Sequence, residues 1–224
     1  FYKRDLVIEE HNDQFPKVDQ TASIYLSMLF PESKLKLFFE FGKNDHSWSF
    51  YDLIKYPYRA SATLIGFRKY DVLGFNELIL GFEYMKNSNL FSIRANAHGE
   101  WYDRPLYDYG IYSDRRWVAH SGADSDDLFI YFGYLSKLDK FILSLNHERH
   151  GILKSIEKTN ENIMYVPETK IEIRLDWRKK ISSYEIFIYY EYELVDNLGI
   201  SEFSIDAPWR KSNVIGIGLE KSFF

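Results

Sequence analysis

Hydrophobic and polar residues alternate with a period of two along most of this chain, most cleanly over residues 169–192. There Thr169, Ile171, Ile173, Leu175 and Trp177 form one row, and Lys170, Glu172, Arg174, Asp176 and Arg178 form the other. A strand sends successive side chains to opposite faces. The spacing therefore predicts a strand with one apolar face and one charged face. Ser182-Ser183 predicts a tight turn. After it Tyr184, Ile186, Ile188, Tyr190 and Tyr192 alternate with Glu185, Phe187, Tyr189, Glu191 and Glu193. Long strands with aromatics at the ends of the apolar row match transmembrane β-strands, which face lipid on one side and a polar lumen on the other.

The same alternation recurs elsewhere. Residues 21–30 carry Ala22, Ile24, Leu26, Met28 and Phe30 on one face, and Pro31-Glu32-Ser33 predicts a turn into Leu35, Leu37, Phe39 and Phe41. Residues 60–70 read as a strand whose apolar face the pattern does not define. A turn at Gly74 leads to Leu78, Leu80, Phe82 and Tyr84, with a bent continuation through residues 90–96. Leu128, Ile130, Phe132 and Tyr134 start another hairpin, which returns through Phe141, Leu143 and Leu145. A loop is expected over residues 195–212. The final strand, 213–224, carries Ile215, Ile217, Leu219 and Phe223, with Lys221 interrupting the row. Its aromatic end resembles the recognition signal of outer-membrane barrels.

Connections alternate short and long throughout, as in barrels with short periplasmic turns and longer extracellular loops. No segment has a helical period. The expected fold is all-β: an antiparallel transmembrane β-barrel in the bacterial outer membrane, with about nine strands present. Residues 1–224 form the C-terminal part of a single barrel domain. Such barrels normally close with an even number of strands, so further strands are expected before Phe1.

Composition adds to this. Eighteen Tyr and 18 Phe suit strands and aromatic girdles. With no cysteine, disulfide, thiol and Cys-zinc chemistry are excluded. The net charge of −5 argues against a nucleic-acid binder. Mean hydropathy is −0.35 and no apolar run is long enough for a transmembrane helix.

The longest connection, residues 97–126, is dense in aromatic and charged groups. Rings stack on the C–H face of a sugar, and guanidinium, carboxylate and amide groups bind its hydroxyls. Trp101, Tyr102, Arg104, Tyr107, Tyr109, Tyr112, Arg115, Arg116 and Trp117 are the candidate polysaccharide contacts. The alternative is a loop folded into the lumen, where the same residues hold its own shape. His98, His120, Asp124, Asp126 and Asp127 match no metal-ligand spacing, so no metal or cofactor is expected. His147 has no serine motif to pair with it as a lipase would require, so the chain is read as non-enzymatic. Glu148, Lys170, Glu172, Arg174, Asp176, Arg178, Glu185 and Glu191 are expected to form a lumen ion-pair network that keeps the barrel narrow or plugged.

Three stretches carry a family resemblance. Trp101-Tyr102 and Tyr107 through Tyr112, with Gly110, lead to Gly122, Asp124 and Leu128. His147-Glu148-Arg149-His150-Gly151 ends a strand, and residues 67–81 hold the Gly74 turn. Together they resemble the Wzi-type capsule assembly family of Gram-negative outer membranes, over residues 60–155. The segment Asp103-Arg104-Pro105 departs from that pattern. The resemblance implies an eighteen-stranded barrel lectin, of which this chain is the C-terminal half. Its partners would be outer-membrane lipid and capsular or other surface polysaccharide, and it would act as a monomer. A porin or passive transporter, and a non-catalytic structural or gliding component of the envelope, remain the other readings.

Overall fold

In a computed structural model the described residues are 21–44, 61–87, 111–112, 115–116, 125–152, 166–198 and 208–221. Their elements are all strands: β1 (Thr21–Phe30), β2 (Leu35–Asn44), β3 (Ser61–Val72), β4 (Phe75–Lys86), β5 (Ile111–Tyr112), β6 (Arg115–Arg116), β7 (Ser125–Leu135), β8 (Asp139–His150), β9 (Glu168–Ile181), β10 (Tyr184–Asp196) and β11 (Arg210–Lys221). Nine of them form one antiparallel sheet in the order β1-β2-β3-β4-β7-β8-β9-β10-β11. Each strand pairs only with its neighbours in this order. β1 and β11 are the two edges. The strand pairs expected from the alternation are therefore present, and β5 and β6 make a separate two-residue ladder that no alternation announces.

The register carries the two rows across the whole sheet. On one face Ile24, Phe41, Thr63, Lys86 and Asp126 follow one another from β1 to β7. Nearer the turns on that face, Leu145, Ile173 and Tyr192 are continued by Asn213 on β11. Ile65, Phe67, Phe82, Ile130, Phe132, Leu143, Leu175, Ile188 and Ile217 fill its middle, where Phe67 and Phe82 stack with ring centres 5.8 Å apart. The register thus assigns the apolar face of β3, which the sequence leaves undefined, to Ile65 and Phe67. The opposite face carries the charged row. Its crowding is inverted relative to a water-soluble sheet: Ile24 and Ile217 are each 73% exposed, whereas Glu148 on the other face is 2% exposed.

On the polar face, rings lie flat over glycines of the adjacent strand. Phe38 covers Gly66, Tyr131 covers Gly81, Tyr189 covers Gly216 and Phe187 covers Gly218, so that a Cβ at any of these glycines would overlap the ring. These rings fill space that a second layer would fill in a sandwich, and they pin the register of each pair.

The short connections all lie at one end of the sheet: residues 31–34, 73–74, 136–138 and 182–183. The intervals 45–60, 87–124, 151–167 and 197–209 join strands at the other. Between β3 and β4, Leu73 and Gly74 have φ of 56° and 83°. Two successive positive φ values define the primed turn that matches strand twist. A Cβ at Gly74 would meet nothing within 4 Å, so the effect of Gly74→Ala is the backbone cost alone, about 1 kcal/mol. A urea titration of the folded protein should show a lower midpoint with an unchanged slope. The first two short turns are tied together. The Tyr70 N–H donates to the Lys34 carbonyl at 3.0 Å, and Lys34 Nζ reaches Asp71 at 2.9 Å and Asn76 at 2.7 Å.

Several boundaries differ from the sequence reading, among them that of β7, which begins at Ser125 inside the connection expected over residues 97–126. β10 runs on to Asp196 and β11 starts at Arg210, inside the interval 195–212 expected as loop. The apolar row ends earlier, but Arg210 and Ser212 both bond Glu193, at 2.8 and 3.0 Å. Polar pairing thus extends the ladder where hydrophobic alternation stops. Residues 90–96 and the Phe223-Phe224 end lie outside the described residues.

Candidate functional site

The polar face of β7 to β11 is built in cross-strand layers. Nearest the long connections, Asp127, Glu148, Lys170, Val195 and Arg210 lie in register. The next layer is Phe129, Asn146, Glu172, Glu193 and Ser212, and the one after is Tyr131, Ser144, Arg174, Glu191 and Val214.

Lys170 sits among three carboxylates. Its ammonium is 3.3 Å from Glu148, 3.0 Å from Glu172 and 3.5 Å from Glu193. Glu148 is held further by Asn146 Nδ2, which donates at 2.6 Å, and by His150 Nε2 at 2.9 Å. Glu172 and Glu193 stand directly opposite each other, a placement that repels. The shared lysine and the Glu193–Arg210 pair offset that repulsion.

Toward the short turns the pairing changes character. Arg174 donates to Asp176 through Nε at 2.9 Å and Nη2 at 3.0 Å, and to Glu191 through Nη1 at 3.1 Å. Its guanidinium also lies 4.3 Å from the centre of the Tyr189 ring. Arg178 pairs with Glu185 at 3.1 Å and lies over Phe187, while Lys140 reaches Glu185 at 3.6 Å. Guanidinium, ring and glycine thus stack in the sequence Arg174–Tyr189–Gly216, and again as Arg178–Phe187–Gly218. On the other half of the sheet Arg68 Nε donates to the Tyr131 hydroxyl at 2.6 Å, and Tyr131 covers Gly81.

Each residue expected in the ion-pair network has its place here. Glu148, Lys170 and Glu172 form the upper cluster. Arg174, Asp176 and Glu191 form the middle one, and Arg178 with Glu185 the lower one. Asn146, His150, Arg210, Ser212 and Lys140 join them, and alternation alone did not mark these. His150 and Asn146 could have been found as the polar-row neighbours of Glu148 on the same strand. Arg210 and Ser212 needed the β10–β11 register.

The arrangement consists of paired charges and stacked rings, and among the described residues no three His, Asp or Glu side chains are grouped to hold a metal. A hollow of about 370 Å³ opens on this face beside Lys140, Ile142, Asp176 and Arg178, near the short turns.

The residues expected to touch polysaccharide are placed differently. Tyr112, Arg115 and Arg116 lie on the β5–β6 ladder, where Tyr112 pairs with Arg115 and Ile111 with Arg116. Trp101, Tyr102, Arg104, Tyr107, Tyr109 and Trp117 lie outside the described residues. The structure therefore brings one pair of the nine candidates into register.

No protein-family model, curated protein or solved structure matches the chain.

Proposed function

We propose that this chain is the C-terminal part of a monomeric outer-membrane β-barrel that holds capsular or another surface polysaccharide on its long connections. It acts by binding and not by catalysis. The observation that carries the membrane reading is the inverted sheet, in which the exposed face is apolar and the crowded face is ion-paired. Nine strands at about 4.8 Å spacing, with apolar rows nine residues long as on β10, present on the order of 1,000 Å² of contiguous apolar surface. Soluble monomers rarely expose more than a few hundred Å². Nine residues is also about the length that crosses a bilayer in a tilted strand. In a bilayer this face is solvated by acyl chains, while the charges on the other face find partners within the protein.

The polysaccharide part of the reading rests on the aromatic and arginine content of residues 97–126 and on the resemblance to the Wzi-type capsule assembly family. In that family's architecture the sheet would belong to a barrel of eighteen strands. The short turns would face the periplasm, and the long connections, including β5 and β6, would face outward.

The experiment is a capsule pull-down with intact cells expressing the full-length protein, after heat-modifiable migration in the outer-membrane fraction has established a folded barrel. Trp101→Ala, Arg116→Ala and Trp117→Ala are each expected to weaken glycan retention about three- to tenfold, since each removes one stacking or guanidinium contact. Unchanged retention in all three removes this connection from the site. In planar bilayers the ion-paired face predicts small conductance. Large stable channels would support the porin reading instead.

A further inference from the structure

We propose that Lys86, Asp126 and Arg149 form a site for the phosphate of a membrane lipid, on the outward rim of the apolar face at the long-connection end. The inference rests on the membrane reading above and adds which leaflet is recognised and by which residues.

Lys86 on β4, Asp126 on β7 and Arg149 on β8 are direct cross-strand neighbours on the apolar face, the last apolar-face position of each strand before the long connections. Asp126 is buried and bonds Arg149 Nη2, whereas the Arg149 side chain is 47% exposed. The buried carboxylate therefore fixes one edge of the guanidinium and leaves its remaining donors facing out. Lys86 makes no ion pair or hydrogen bond among the described residues. The two cations are separated by two strand spacings, about 10 Å between Cα atoms, which their side chains can close around one phosphate. These three residues carry two positive charges against one negative, and Asp196 lies on the same row two strands beyond Arg149. His147 lies one row below on the same face, beside Leu128.

What lies beneath decides the ligand class. Directly toward the short turns the same three strands present Tyr84, Leu128 and His147, then Phe82, Ile130 and Leu145, then Leu80, Phe132 and Leu143. A phosphate at the rim would thus have its acyl chain running down an apolar ladder. The opposite rim of the same face also carries cations, of which Lys69 is satisfied within the protein and Lys179 has a looser, exposed partner. Lys69 Nζ donates to the carbonyls of Ser33, Tyr70 and Asp71, and Lys179 lies 3.9 Å from Asp139. Lys69 spends its donors on backbone carbonyls at one rim, whereas Lys86 at the other makes no such bond among the described residues and Arg149 keeps donors beyond its bond to Asp126, and this difference favours the leaflet at the long-connection end. Guanidinium and ammonium groups both bind phosphate, and each cation near an anionic surface adds appreciably to affinity.

The test uses the full-length protein in phosphatidylcholine vesicles containing spin-labelled phosphatidic acid or spin-labelled phosphatidylcholine. The immobilised fraction reports lipid association. The wild type is expected to prefer phosphatidic acid. Lys86→Gln with Arg149→Gln should lower that preference about tenfold, while Lys69→Gln with Lys179→Gln leaves it in place. An unchanged preference in the first double variant, with insertion retained, overturns the site alone. Failure of the wild type to insert overturns the membrane reading and the site with it. Displacement of the labelled lipid by millimolar inorganic phosphate would make this a site for free phosphate and overturn the lipid assignment.

Discussion

Replacing Lys170 with Met is expected to lower the unfolding free energy of the folded protein by about 3–5 kcal/mol. The size follows from what the ammonium leaves behind. Glu148 is 2% exposed, and Glu172 and Glu193 stand opposite each other on paired strands. Lys170 touches all three. Among the described residues it is the only cation that Glu172 meets. Without it three partly desolvated carboxylates repel at close range and Glu172 loses its cation, so the penalty exceeds that of the lost contacts alone. The same logic predicts partial recovery in Glu172→Gln/Lys170→Met, which removes one repelling charge. Denaturant titration of the two single variants and the double isolates the coupling. Arg178→Gln is the contrast. Its side chain is 46% exposed and its partner Glu185 is 22% exposed, so solvent screens the pair and the loss should stay within about 1 kcal/mol. Equal losses at Lys170 and Arg178 would contradict the inference that burial makes the Lys170 cluster the costlier one to break.

Gly81→Val is expected to cost about 2.5–6 kcal/mol, the sum of the two effects argued next. A Cβ at Gly81 would occupy the Tyr131 ring. The ring cannot tilt away freely. Its hydroxyl accepts a 2.6 Å bond from Arg68, and its other side lies against Phe129, with ring centres 5.6 Å apart. Overpacking contributes about 1–3 kcal/mol, and losing a charge-assisted hydrogen bond contributes about 1.5–3 more. Tyr131→Ala empties the space that the introduced valine side chain needs. The double variant should therefore be more stable than the sum of the single losses by more than about 1 kcal/mol. Strict additivity would show that the ring does not lock β4 to β7.

The sheet was legible because β9 and β10 have nearly pure rows. Ile171 to Trp177 against Lys170 to Arg178 admits only a period of two. β3 was ambiguous for a physical reason. Ala62, Leu64 and Gly66 are on the polar face, where Phe38 needs a flat seat and not a charged neighbour. An interior built from rings on glycines uses apolar residues on both faces and blurs the alternation. The upper ion cluster was legible in membership but not in partnership. Glu148 and Lys170 are separated by residues 149–169, and their meeting depends on the β8–β9 register, which no sequence spacing sets. The β10–β11 ladder outran its apolar row because Glu193, Arg210 and Ser212 extend it with polar bonds. Of the candidate glycan contacts, the fold describes Tyr112, Arg115 and Arg116, on the β5–β6 ladder. The other candidates rest on residue chemistry alone.

The uninterrupted order of the sheet has a consequence for how such a chain can change. Every ladder joins strands adjacent in the order β1 to β11, with no crossover, so each hairpin is a removable module. Excising one hairpin with its long connection leaves two strands that still run in opposite senses and still present apolar residues on the same side. Inserting one does the same. The width of the sheet changes in steps of two strands, while the sidedness of the short turns, the long connections and the apolar face is preserved. Gene duplication and deletion acting on this architecture can therefore resize the structure without redesigning either face, which leaves the long connections free to diverge in what they bind.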